Sequence, residues 1–158
     1  MNVLDATAHV LYVVSMALVF GGTAALSFAA APQTFRALRP VDAGRVFGRV
    51  LRVFDRMAGA ASATATVAAV VGLFSVVTAP GVALLVLAAC VHLTVEILRR
   101  FVAPKMASLK PPESEDEERR WDPASRAEFD RLHRVYVRLY ASNLFLSLAA
   151  LVLAALPA

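Results

Sequence analysis

Cysteine and tryptophan each occur once in this chain, and histidine only three times. A single cysteine, Cys90, excludes an intramolecular disulfide and a metal cluster built from cysteines alone. Within its apolar surroundings it reads as a small buried hydrophobe. No phosphate-binding glycine loop, nucleophile–base pair or dense set of metal ligands is present. Basic residues are missing from long stretches as well. None precedes Ala31, none lies between Arg56 and Arg99, and none follows Arg138.

What remains is apolar. Hydrophobic residues make up 59% of the 158 positions, and the mean hydropathy is +0.65. Soluble domains sit nearer about 45–50%. The length fits one domain, and the excess gathers in four blocks, 6–31, 57–78, 82–98 and 139–156. Each has the length to cross ~30 Å of hydrocarbon, which takes about 17–25 helical residues. AAAP at 29–32 offers a small-residue cleavage pattern, but the first block has no basic leader, runs too long, and would leave Pro32 next to the cut; it reads as an uncleaved helix.

All sixteen Lys and Arg fall in two windows, 36–56 and 99–138. Lys and Arg concentrate in the cytoplasmic loops of membrane proteins. The expected topology is therefore a multi-pass protein of the cell (inner) membrane, with loops 32–56 and 99–138 cytoplasmic and both termini outside. Cations placed this way argue for the lipid bilayer as partner and against nucleic acid. A membrane-protein partner or a homo-oligomer stays open.

Residues 47–57, FGRVLRVFDRM, return as FDRLHRVYVRL at 129–139, 82 positions on. AAAPQTFRAL (29–38) and RFVAPKMASL (100–109) share an Ala-Pro pair 72 apart. The ten extra residues belong to PPESEDEERRWDP (111–123), part of an acidic cytoplasmic loop at 110–124. Such a run is expected to be solvated. The reading is an all-α integral membrane four-helix bundle made of two helical hairpins in parallel repeat, related by an axis along the membrane normal. Helices two and four are expected to be long, roughly 44–78 and 125–156, with cytoplasmic extensions.

Arg45, Arg49, Arg52 and Arg56 recur at helical spacing on one face, and Arg131, Arg134 and Arg138 repeat the stripe. They are expected to contact lipid headgroups or other anions. Asp55 and Asp130 are expected to pair locally along their helices. Pro32 and Pro104 are expected to end helices one and three, since proline lacks an N–H and clashes with the preceding turn. Small residues at four-residue spacing, among them Ala58, Ser62 and Thr66 in helix two and Gly21, Ala25 and Ala29 in helix one, predict close helix packing.

Ionisable residues inside a span are functional candidates by default. His92 and Glu96 share a face of helix three, and Asn143 should lie at similar depth, with Ser142, Ser62 and Thr66 near. Glu96 also has Arg99 and Arg100 within local reach. These three residues form the candidate intramembrane polar cluster. His9, His92 and His133 lie at three different depths, His92 about 15 Å below the outer end of its helix, which disfavours bis-histidine haem. No cofactor is predicted, and haem or a metal is left open.

FGGTAALSFAAAPQTFRAL (20–38), EILRRFVAPKM (96–106) and FDRLHRVYVRLYASNL (129–144) resemble the transmembrane-protein-205-like family of small four-helix membrane proteins. The pattern departs at Val19-Phe20, where that family places a tryptophan. The resemblance implies the fold and a membrane location, and it implies no established activity. Three functions follow as expectations. The first is a non-enzymatic structural or accessory bundle, alone or within a larger membrane complex. The second is a small transporter or binding protein for a metal ion, proton or small solute, using His92 and Glu96. A haem-linked oxidoreductase is the third.

Overall fold

A computed structural model describes residues 3–75, 77–110 and 122–156. Four helices in it are long and apolar enough to cross a membrane. They are α1 (Val3–Ala37), α2 (Pro40–Ser75), α3 (Ala79–Leu109) and α4 (Pro123–Ala155). Of the acidic loop expected at 110–124, residues 111–121 lie outside the described residues, and Pro123 and Ala124 already belong to α4.

Local chemistry starts each later helix. Arg39 and Asp42 form an ion pair, 2.9 Å between Nε and Oδ2, across the first turn of α2. Thr78 Oγ1 accepts from the Gly81 N–H at 3.1 Å to cap α3. Asp122 Oδ2 accepts from the Ser125 N–H at 3.0 Å to cap α4, with Pro123 just inside. Such caps satisfy N–H groups that have no partner within the helix.

Pro32 and Pro104 do not end their helices. α1 runs on to Ala37 and α3 to Leu109. Immediately upstream of each Ala-Pro pair the helix widens to a π turn, over Ala25–Ala30 and Leu98–Val102. The Ala31 N–H bonds the Leu26 carbonyl and the Ala103 N–H bonds the Leu98 carbonyl, five residues back in each case. In an α-helix a proline ring collides with the carbonyl four residues earlier. The extra residue in the wider turn displaces that carbonyl, so the helix passes the proline instead of stopping.

Each helix packs against two neighbours in the ring α1–α2–α3–α4. The inner faces follow near-heptad spacing. Tyr12, Met16, Val19 and Thr23 are buried on α1; Ala58, Ser62 and Ala65 on α2; Ala88, Val91 and Val95 on α3; Tyr136, Asn143, Ser147 and Ala150 on α4. Outward positions such as Val10, Val14, Val67, Val86, Leu93, Phe145 and Val152 are apolar and exposed. An apolar exterior over an interior of small residues is what helices packed in lipid require.

The close-approach face of α1 differs from expectation. Gly21, Ala25 and Ala29 point outward. The contact belongs to Gly22, where an added Cβ would lie 2.1 Å from Phe54 Cε2. Cys90, expected in the core, is exposed on the outer surface of α3.

Candidate functional site

α2 and α3 run antiparallel, so Asp55, Gly59 and Ser62 on α2 pass in turn beside Arg99, Glu96 and His92 on α3. The Ser62 hydroxyl and His92 Nδ1 are 3.1 Å apart. Gly59 leaves room for the Glu96 carboxylate, whose Oε1 would be 3.3 Å from an added Cβ. Arg99 Nη2 donates to both Glu96 oxygens, at 2.9 and 2.8 Å, and Arg100 Nε donates to Oε2 as well. Glu96 is thus held by two guanidinium groups of its own helix.

Asn143 does not join His92 and Glu96. Its side-chain oxygen accepts from the Thr94 hydroxyl, across the α3–α4 interface. Ser142 is exposed and bonds its own helix at Arg138 O, and Thr66 does likewise at Ser62 O. The expected cluster is therefore two separate contacts, one between α2 and α3 and one between α3 and α4.

A different cluster occupies the level of the π turn in α3. Asp55 is only 6% exposed. It does not pair along its own helix with the neighbouring arginines. The Tyr136 hydroxyl of α4 donates to its two oxygens, at 3.2 and 3.4 Å. Tyr140 stacks on Tyr136, with centroids 5.7 Å apart, and meets Phe54 edge-on. Its hydroxyl is buried between Asp55 and Thr23 of α1 and makes no hydrogen bond of normal geometry among the described residues. Arg99 lies close enough to act on the Asp55 charge through space. Each of the four helices thus contributes a polar group to this level.

Asp130 does pair locally, 3.7 Å from Arg126. Arg45 lies 4.0 Å from Asp42. Arg52, Arg56, Arg131, Arg134 and Arg138 are exposed. Arg49 borders an open groove of about 530 Å³ between α1 and α2, whose other walls include Gly22, Leu26, Val53, Phe54 and Met57. His9 is exposed, and His133 stacks on Phe129. Among the described residues no three His, Cys, Asp or Glu side chains converge to hold a metal ion.

Asp55 reads in the sequence as a locally paired surface acid, and Tyr136, Tyr140, Thr94 and Thr23 carry no individual signal of a site. A signal was present on α4. Tyr136, Tyr140, Asn143 and Ser147 stand at i, i+4, i+7 and i+11, which puts four hydrogen-bonding side chains on one helix face.

A family model described as a domain of unknown function, DUF4149, matches residues 14–114. That stretch takes in most of α1 and all of α2 and α3, with Asp55, His92 and Glu96, while Tyr136 and Tyr140 of α4 lie beyond it. Searches of curated proteins and of solved structures returned no match. With a family model covering well over half of its length, the chain belongs to the DUF4149 family, a family of unknown function.

Proposed function

We propose that the protein is a non-enzymatic structural or accessory element of the cell membrane, a closed bundle rather than a conduit. One observation carries this reading: the three polar side chains that the transport alternative would use or lean on are each engaged with a neighbour. Glu96 is held by Arg99 and Arg100, His92 by Ser62, and Asn143 by Thr94. Two tyrosines also tie opposite helices together. Tyr12 of α1 donates to the Leu84 carbonyl of α3 at 3.0 Å, and Tyr136 of α4 donates to Asp55 of α2.

The finer architecture has support of the same kind. The π turns end at Ala30 and Val102, each directly before its Ala-Pro pair. Matching deformations at matching places favour two copies of one hairpin. The arginine windows favour cytoplasmic α1–α2 and α3–α4 connections. Resemblance to the transmembrane-protein-205-like family agrees with such a bundle. The alternative, a small transporter built on His92 and Glu96, has less support, because both side chains are already engaged, His92 with Ser62 and Glu96 with two arginines.

The test is Glu96→Gln in purified, reconstituted protein. A structural role predicts a modest loss of stability, on the order of 1 kcal/mol for a partly exposed bridge, with proton and cation flux equal to that of protein-free vesicles before and after the change. Wild-type flux that disappears in Glu96→Gln overturns this reading in favour of transport.

A further inference from the structure

The two acids at the α2–α3 interface differ sharply in what compensates their charge. Glu96 receives donors from two guanidinium groups. Asp55 is more deeply buried and receives one phenolic donor at relatively long distance. A carboxylate removed from water needs several strong donors or a contacting cation, and otherwise the neutral form gains. The groups facing Asp55 can be named helix by helix. From α1 the nearest polar group is Thr23, which adjoins Tyr140 and carries no charge. On α2 itself, Arg52 and Arg56 are exposed and turned away from the interior. From α3 comes Arg99, already bonded to Glu96 through Nε and Nη2. From α4 come Tyr136 and Tyr140, neutral hydroxyls able to donate or accept.

From this geometry we propose that Asp55, buried against Tyr136 and Tyr140 with Arg99 at its edge, is a proton-binding site of the bundle. In the charged state the carboxylate accepts from Tyr136 and faces Arg99. On loading, one proton from water forms an O–H bond on an Asp55 oxygen, and the side chain goes from one negative charge to none. The new O–H then has an acceptor at hand in the Tyr136 oxygen, with the Tyr140 hydroxyl close by. Arg99 is left wholly to Glu96. The same hydroxyls serve both states, so proton uptake needs no rearrangement of the helices. This inference goes beyond the structural reading and stands or falls separately, since a closed bundle can hold a proton without conducting it.

Infrared difference spectroscopy of the full-length protein in lipid, titrated from mildly acidic to mildly alkaline, tests it. The expected result is a protonated-carboxyl stretch that fades as pH rises, is missing in Asp55→Asn and persists in Glu96→Gln. Absence of any such band in the folded wild type overturns the proposal, as does a band that survives Asp55→Asn. Should Asp55→Asn fail to fold, Tyr136→Phe decides instead. It keeps the acid but removes the donor that favours the charged form. The midpoint should rise by about one unit, roughly tenfold in proton affinity. An unmoved midpoint assigns the titrating acid elsewhere and ends the proposal.

Discussion

Gly22 shows how narrow the tolerances are at the scale of one residue. Its missing side chain admits the edge of Phe54, and Phe54 in turn packs against Tyr140 beside Asp55. Gly22→Ala should therefore force the Phe54 ring away and cost about 1–3 kcal/mol by overpacking. A thermal or denaturant unfolding curve checks this, and adding Phe54→Leu should recover much of the loss. Gly21→Ala, with nothing within 4 Å of the added carbon, should be silent. The sequence showed two adjacent glycines but not which of them meets a neighbour. That choice depends on the rotation of α1 about its axis, and an apolar helix in lipid presents little contrast between inner and outer faces. Asp55 reads as a locally paired surface acid for a related reason. Four arginines surround it in sequence, which suggests a solvated stripe, yet the helix turns this one acid inward.

At the scale of the element, the π turns are the main departure from what the chain's pattern suggests. A proline in an apolar helix reads as a stop, and only the backbone reveals the extra residue that lets the helix continue. That residue also sets the rotation of everything beyond it. In α3 it aligns Lys105 with Glu128 of α4, 3.5 Å apart. Pro104→Ala removes the clash that the wide turn relieves. Reversion to regular α-helix would rotate the Lys105 segment by about 100° relative to Glu96. Zero-length carbodiimide crosslinking of Lys105 to Glu128 should succeed in the parent and fall several-fold in Pro104→Ala.

The start of α4 makes a separate expectation about pH. The Ser125 N–H and hydroxyl hold the Asp122 carboxyl below the ordinary aspartate range. A carboxyl lowered on folding contributes stability that is complete above its unfolded value and fades as pH falls through the folded one. Exchange of the Ser125 amide should accelerate over that acidic window, beyond the intrinsic pH effect. Asp122→Ala should remove that extra dependence.

For the whole molecule, the pattern of hydrophobic blocks was the most legible feature, because lipid imposes a length on the helices that cross it. The blocks anticipated four long apolar helices, while the packing of those helices into a ring required coordinates. The proposed orientation, with both basic connections cytoplasmic, makes a direct prediction. In a Cys90→Ala background, a cysteine at Ser108 should react with an impermeant maleimide only from the cytoplasmic side, and one at Val77 only from outside. The opposite result would invert the topology while leaving the bundle intact.

The two tyrosine contacts have a mechanical consequence. Tyr12–Leu84 spans α1 to α3, and Tyr136–Asp55 spans α4 to α2, at well-separated heights along the helices. A square of four rods held only along its sides can shear into a rhombus. Cross-ties on both diagonals block that collapse in either direction, so cutting one tie should let the bundle flatten along that diagonal while the other still resists.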